Sequence, residues 1–122
     1  MLVEGHSSAR VVGRSAIFRG EISDVCFQNT LLRFRSMSVK PEFAHQYFRY
    51  CVLTGQFSKV AKQTTIAHLG STRFSNMSFP VPPPEIEDGV VAEVTAIEES
   101  LALAEGRKGA VDRMIRSILK FI

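Results

Sequence analysis

Few side chains in this 122-residue sequence could carry out chemistry, and their spacing argues against a reaction centre. His6, His45 and His68 stand in no metal-ligand spacing with one another or with the two cysteines. The sequence has no glycine-rich phosphate loop of the P-loop kind, and no Ser/His/acid set stands out. We therefore expect no catalytic residue, no metal site and no cofactor, and we do not expect an enzyme.

The two cysteines, Cys26 and Cys51, both lie in apolar settings, Val-Cys-Phe and Tyr-Cys-Val. In a reducing compartment such thiols are usually buried small hydrophobic residues. The sequence therefore predicts two buried cysteines without a disulfide.

Cationic and small polar side chains are better candidates, because they can contact phosphate. The segment from residue 5 to residue 14 combines glycine and serine with two arginines, which suits the approach of amides and guanidinium groups to phosphate or guanine edges. A second segment, residues 59–65, has two lysines and a polar cluster beside a short helical turn. The predicted DNA-contacting residues are Ser7, Ser8, Arg10, Arg14, Lys59, Lys62, Gln63 and Thr65. An ordinary solvated surface would have the same composition, so that alternative stays open.

Gln28 and Asn29 form a further polar pair. Their amides could read base edges, but polar pairs at strand ends more often satisfy neighbouring backbone groups. We favour the structural role.

Charge is divided unevenly along the chain. Residues 1–83 contain ten Lys/Arg and four Asp/Glu, whereas residues 84–122 contain five and eight. The first part therefore carries a net charge of +6 and the second a net charge of −3. A basic segment of this kind favours an anionic partner, of which nucleic acid is the commonest.

A proline-rich stretch, Phe-Pro-Val-Pro-Pro-Pro at residues 79–84, divides the sequence. Proline fixes φ and donates no backbone hydrogen bond, so no core helix can continue through this stretch. Three acidic residues at positions 85–88 then favour a helix N-terminus. We predict one domain over residues 1–83 and a spacer or dimerisation helix over residues 84–122.

Beyond the prolines, apolar residues recur in alternating steps of four and three, the spacing of a coiled-coil seam. Lys108 is the only polar residue of that series. The residues predicted to pair helices are Val94, Ile97, Leu101, Val111, Ile115 and Ile118. The alternative is a helix that lies on its own domain. We prefer the coiled coil, because a domain of about 83 residues is too small to cover a helix roughly 50 Å long. Gly106 and Gly109 weaken the middle of this helix, so the sequence also allows a break there or two shorter helices.

The first 83 residues combine short strand patterns with one central helix pattern. Leu32 and Phe34 alternate with two arginines, which predicts a half-buried strand with the arginines on its outer face. Pro41 predicts the start of a helix that Gly55 closes. The expected fold class is α+β: a small mixed β-sheet domain with short helices, followed by a long coiled-coil-type C-terminal helix.

Seven segments, taken together and in order, resemble one protein family. They are LVEG at residues 2–5, VGRSAI at 12–17, GEI at 20–22, FQN at 27–29, RFR at 33–35, IAHL at 66–69 and FPVPP at 79–83. This set resembles the DNA-specificity subunit of type I restriction-modification systems. The segment from Glu85 onward is similar to the spacer helix of that family.

The resemblance implies a target recognition domain that reads one half of a bipartite site in double-stranded DNA. It also implies docking to the DNA-methyltransferase subunits, which carry the catalysis, and it leaves docking to the restriction subunit open. The full subunit has two domains and two spacer helices, so we expect a half subunit or a truncated remnant. A homodimer through the C-terminal helix would supply the missing half.

Two other functions compete with DNA recognition. One is a truncated assembly module that pairs through its C-terminal helix without tight DNA binding, and the other is an enzyme whose reactive groups meet only in space. No apolar run approaches the ~20 residues of a membrane span, and residues 1–4 lack the features of a signal peptide. We therefore expect a cytoplasmic protein without a membrane partner.

Overall fold

Strand patterns at the start of the sequence give short strands, and the proline-flanked patterns give helices. The structure, a computed structural model, describes residues 1–62 and 66–120. Its elements are, in chain order, β1 (Leu2–Glu4), β2 (His6–Ser7), β3 (Ser15–Ala16), β4 (Leu31–Arg33), α1 (Pro41–Leu53), α2 (Gln56–Val60), β5 (Ala67–His68), α3 (Ser71–Ser75) and α4 (Pro84–Leu119). The predicted α+β class is confirmed. The chain divides into two units, Met1–Asp88 and Gly89–Ile122, so the division falls within α4.

β1 is the central strand of a three-stranded sheet, between β3 and β4. Val3 lies opposite Ser15 on one side and Leu32 on the other, and its side chain is fully buried. β2 and β5 form a second, two-stranded sheet. All pairings among the described strands are antiparallel, instead of the mixed sheet that we expected. The connection between β1 and β3 is too short for a parallel crossover, which needs a dozen or more residues.

The connection from β1 to β3 returns tightly along β1. The Gly13 amide donates to the Glu4 carbonyl and the Glu4 amide donates to the Arg14 carbonyl, both at 2.8 Å. Gly13 has φ +90°, and a Cβ at this position would lie 2.1 Å from a ring atom of Phe57. Only glycine fits here, because both the backbone conformation and the neighbouring ring exclude a side chain.

α1 begins at Pro41 and ends at Leu53, and Gly55 follows it in the left-handed conformation, as predicted. Its buried face carries Phe43, Ala44, Phe48 and Cys51. The Phe48 ring meets the Phe34 ring at 5.0 Å and the Phe57 ring at 5.7 Å, both edge to face. Aromatic pairs in this geometry add to the stabilisation from burial, so α1 supplies the centre of the core.

The alternating segment around β4 behaves as predicted. Leu32 and Phe34 are half-buried, while Arg33 and Arg35 are exposed. The regular strand covers only Leu31–Arg33.

The two cysteines differ, which corrects the prediction that both are buried. Cys51 is buried in α1, whereas Cys26 is exposed, and both are free. Cys26 lies in a segment without helix or strand, where its apolar neighbours Val25 and Phe27 are also exposed. Burial raises the pKa of the Cys51 thiol, so little of it is thiolate at neutral pH.

The first turn of α4 is joined to the start of α1 by a hydrogen bond and an ion pair. Glu87 is 3% exposed, and its Oε2 accepts a hydrogen bond from the Lys40 backbone N–H at 2.8 Å. Lys40 is the N-cap residue of α1, and its ammonium group pairs with Asp88, which raises the pKa of that ammonium. A helix N-terminus has unpaired amides and favours negative charge, so these acids stabilise the start of α1.

α4 continues from Pro84 to Leu119 through Gly106 and Gly109 without a break. Strong helix formers surround the two glycines and offset the roughly 1 kcal/mol that each costs relative to alanine. Val94 is half-buried. The other predicted helix-pairing residues are exposed: Ile97, Leu101, Val111, Ile115 and Ile118. Within the described residues, no helix combines the length and the apolar character that a membrane span requires.

Candidate nucleic-acid interface

Strand pairing and core packing bring the two predicted cationic segments together. β2 pairs with β5, and Lys62 forms a further antiparallel bridge with His68, through reciprocal hydrogen bonds of 2.9 and 3.1 Å. On the core side, Gly13 lies against the ring of Phe57 in α2. The loop that precedes Arg14 and the segment that contains Lys62 therefore occupy one region of the first unit.

Residues directly opposite each other in an antiparallel pair have side chains on the same face. His6 lies opposite His68, and Lys62 lies opposite His68 on its other side. These three residues therefore form a row across adjacent chain segments. Lys62 is exposed, and the two histidines are half-buried.

The tip of the first loop is a tight turn. The Ser8 carbonyl accepts hydrogen bonds from the amides of Val11 and Val12, at 3.1 and 3.0 Å. Ser8 and Arg10 are both exposed in this turn. The turn therefore presents Arg10 to solvent.

Ser7 and Arg14 are less available than the tip of the loop. Ser7 is half-buried and shares its face with Ala67, its partner in β5, which is 2% exposed. Arg14 is exposed, but its Nε and Nη2 donate to Glu4 Oε2 at 3.2 and 3.0 Å. The Glu4 carboxylate therefore partly neutralises Arg14.

In the second segment, Lys59 lies on α2 and Lys62 follows it, and both are exposed. Gln63 and Thr65 lie outside the described residues. Arg10, Lys59 and Lys62 have no ion-pair partner in the part of the chain that the structure describes. These three charges are therefore available to an anion.

A polar cavity of about 540 Å³ adjoins the histidine row, and the sequence did not predict it. Asn29, Arg73 and both histidines line it. His6 and His68 are 62 residues apart and meet only through the pairing of β2 with β5, for which the two-residue strands give no sequence signal. Asn29 is the one residue of this group that we considered as a base contact.

The arrangement suits anion binding. Across residues 1–62 and 66–120, no three histidine, cysteine or acidic side chains converge in a way that could hold a metal ion. The groups that do converge are cations, hydroxyls and amides, which donate hydrogen bonds to phosphate oxygens. Comparison with protein families, with curated proteins and with solved structures finds no significant match to the chain. The family resemblance therefore rests on the ordered sequence motifs alone.

Proposed function

We propose that this protein is a sequence-specific DNA-recognition module, the specificity component of a type I restriction-modification system in the cytoplasm. It reads one half-site in duplex DNA and docks DNA-methyltransferase subunits, which carry out the reaction. The main observation behind the proposal is that the pairing of β2 with β5 brings together the two chain segments that contain the exposed Arg10, Lys59 and Lys62, which we call the cationic cluster. The ordered motifs of the sequence support the same function.

In this proposal the three cations neutralise DNA phosphates. Each such contact releases condensed counterions, so affinity falls steeply as the salt concentration rises. Phosphate contacts fix the position of the protein on the duplex, and contacts to base edges supply the specificity. The exposed loop tip at Ser8 and Arg10 is the part of the cluster best placed to reach a base edge, because an arginine fork matches guanine.

Fluorescence anisotropy with a labelled duplex, over a series of salt concentrations, tests this function. Replacement of Arg10 or Lys62 by alanine should each weaken binding by roughly 1 kcal/mol or more and lower the salt slope by about one unit. The matched control is Arg49→Ala, which removes an exposed arginine of α1 that is hydrogen-bonded to Gln46. Unchanged binding in both cluster variants would place the interface elsewhere. The absence of salt-dependent binding in the unaltered protein would exclude DNA recognition.

The partner proposed for the second unit is a second copy of the same helix, in antiparallel orientation. Residues 89–105 contain four acidic and no basic residues, whereas residues 106–120 contain five basic residues and one acidic residue. Parallel helices would place like charges side by side along the whole pair. Antiparallel helices place the acidic half of each copy beside the basic half of the other, which favours this orientation.

The apolar seam is itself symmetric about residue 106. An antiparallel pair centred there sets Val94 opposite Ile118, Ile97 opposite Ile115, and Leu101 opposite Val111. Lys108 then faces a helix segment that contains Glu105, a carboxylate within reach of its flexible stem. Such a pair relates the two DNA-recognition units by a two-fold axis, so the dimer reads an inverted repeat with a fixed spacer.

The alternative is an assembly module that pairs through α4 without tight DNA binding. The exposure of the apolar residues on α4 favours it, since these side chains need a partner whatever the first unit binds. Salt separates the two functions. Helix pairing through apolar residues should persist at a salt concentration that abolishes DNA binding, because screening acts on charges. A protein that pairs and never binds duplex would fit this alternative.

A further inference from the structure

We propose that the polar cavity beside His6 and His68 is a binding site for a phosphate group. The identity of the phosphate rests on the proposed function: in a DNA-recognition module it is a backbone phosphodiester. The residues that line the cavity support an anion site by themselves. None of them belongs to the DNA-contacting residues predicted from the sequence.

Strand pairing builds the histidine side of the cavity. The rings of His6 and His68 stack with their centres 4.0 Å apart and their planes at 27°. Gly5 lets the backbone segments come this close, because a Cβ there would lie 3.0 Å from the Thr30 carbonyl and 3.1 Å from the Leu69 carbonyl. The Gly5 amide donates to Thr30 O and the Leu69 amide donates to Gly5 O, both at 2.8 Å. The wall is therefore fixed before any ligand binds.

The stacked pair of histidines lowers the stability of the fold, because it buries polar atoms without hydrogen-bond partners in the part of the chain that the structure describes. Nδ1 of His6 and Nδ1 of His68 are both buried, and neither has a hydrogen-bond partner among the described residues. A buried polar atom without a partner costs roughly 1–3 kcal/mol. Such a group in a small unit calls for an explanation other than stability. A ligand in the adjoining polar cavity accounts for why the fold keeps these two imidazoles at the edge of that cavity.

The other walls supply donors for an anion. Asn29, Thr30, Ser71, Thr72 and Arg73 line the same cavity, and their side chains carry an amide, three hydroxyls and a guanidinium group. Arg73 is exposed and has no ion pair within the ranges 1–62 and 66–120. No acidic side chain lines the cavity in the described part of the chain. An arginine fork with several neutral donors and no competing carboxylate matches the tetrahedral oxygens of phosphate.

The cavity adjoins the predicted interface. Lys62 lies directly opposite His68, so the exposed ammonium group and the histidine pair share one face. At about 540 Å³ the cavity is larger than one phosphate group and has room for part of the attached sugar. A strand that places one phosphate in the cavity can therefore place a neighbouring phosphate near Lys62.

NMR of the histidine imidazole C–H signals tests the site, at constant pH and with two ligands in separate titrations, inorganic phosphate and a DNA duplex. The signals of His6 and His68 should shift with both ligands. His45 is an internal control, because it does not line the cavity and its Nδ1 lies 2.9 Å from Ser15 Oγ. Shifts with the duplex alone or with both ligands support a backbone phosphate. Shifts with inorganic phosphate alone support the site and identify its ligand as a free phosphate, in which case the proposed DNA function fails.

Arg73→Ala supplies the second measurement. Arg73 is exposed, so its removal should leave the fold intact, and the far-ultraviolet circular dichroism spectrum checks this. The variant should lose the phosphate-induced shifts of His6 and His68 and bind duplex about fivefold more weakly or worse, whereas Arg49→Ala should do neither. Duplex binding that leaves the His6 and His68 signals unmoved and is equal in the Arg73 and Arg49 variants would overturn the phosphate site while the DNA function stands. No shift with either ligand would overturn it as well.

Discussion

The two units of this chain use their apolar residues in opposite ways. In the first unit, large apolar side chains such as Val3, Phe57 and Leu69 are fully buried. Between Gly89 and Lys120 no described side chain is buried, although half of those residues are apolar. The first unit therefore buries a hydrophobic core within its own chain, although other large apolar side chains of that unit, such as Ile22, Val25 and Phe27, are exposed. The second presents a seam that only another molecule or another chain segment can cover.

This difference separates two sources of stability. Burial of an apolar side chain contributes about 1.5–3 kcal/mol. In the first unit that contribution is present at any protein concentration. On α4 the same contribution depends on association, so it varies with protein concentration.

Leu101→Asp should have the largest effect, because it acts on the helix seam of both copies in a dimer. Each copy loses the burial of one leucine, so association should weaken by about 3–6 kcal/mol, or roughly a hundredfold to ten-thousandfold. Analytical ultracentrifugation over a range of protein concentrations measures the change.

The matched control for Leu101→Asp is Leu103→Asp. Leu103 is 66% exposed, against 57% for Leu101, and lies two residues further along, off the seam. It should leave association nearly unchanged. Equal effects of the two substitutions would contradict a defined seam. A monomeric unaltered protein at tens of micromolar would rule out self-pairing and leave the seam for a helix of another subunit.

Gly13→Ala tests the closed interior of the first unit. The added methyl group would meet the Phe57 ring in a backbone conformation that side chains rarely adopt. Overpacking costs about 1–3 kcal/mol and the left-handed conformation about 1–2 kcal/mol, so the free energy of unfolding should fall by about 2–5 kcal/mol.

Gly20→Ala separates those two costs. Gly20 has φ +89°, nearly the same as Gly13, but no atom lies within 4 Å of the position of an added Cβ. Its substitution should cost only the conformational part, about 1–2 kcal/mol. Urea denaturation at a concentration where the protein is monomeric measures both. If the two variants lose equal stability, the loop at Gly13 yields to the methyl group and the interior is less closed than the structure indicates.

Local signals in the sequence predicted the elements that local chemistry controls. Pro41 and Gly55 delimit α1, and the prolines before Glu85 delimit the start of α4, because these residues restrict or permit particular backbone dihedral angles. Five of the six predicted helix-pairing residues of α4 are exposed, and their pairing stays a prediction. The sequence leaves the continuity of α4 undetermined, because two glycines weaken a helix by an amount that only the surrounding residues can offset.

Contacts between distant parts of the chain were not predictable. The histidine pair needs the register of two strands of two residues each, and periodicity cannot be read over so short a length. The exposure of Cys26 follows from the irregular path of its segment, whereas its apolar neighbours suggested burial. The Glu87 side chain and the Lys40 amide are 47 residues apart in sequence, so no local sequence pattern predicts their contact.

Glu87→Ala tests the junction between the interior of the first unit and the first turn of α4. It leaves the Lys40 amide without its carboxylate acceptor, so the free energy of unfolding should fall by about 1–3 kcal/mol. Glu87→Gln keeps an acceptor oxygen and should cost less. Thermal unfolding at fixed protein concentration compares the two. Equal losses would mean that the charge of Glu87, rather than its hydrogen bond, stabilises the start of α1.

The smallest expected effect concerns the surface of the first unit, at the pair formed by Arg19 and Glu42. Arg19 Nη2 donates to Glu42 Oε1 at 2.7 Å, and this hydrogen bond lowers the pKa of Glu42 below its ordinary value of 4.5. Both side chains are more than a third exposed, at 62% and 37%, so solvent screens the pair. A double-mutant cycle of Arg19→Ala and Glu42→Gln should give no more than about 1 kcal/mol.

The sign of its pH dependence follows from the lowered pKa of Glu42. Between the lowered pKa of the folded protein and 4.5, the Glu42 carboxylate is charged in the folded protein, whereas the unfolded chain already binds a proton there. The pair therefore stabilises the fold fully above pH 4.5. Its contribution is lost as the pH falls through the lowered pKa of Glu42 in the folded protein. The coupling energy from urea denaturation should therefore be constant near neutral pH, shrink below pH 4.5 and shrink again at high salt. A coupling energy that changes with neither pH nor salt would show that the aliphatic part of Arg19 stabilises α1 by packing. The interior residues of the unit stabilise it in the same way.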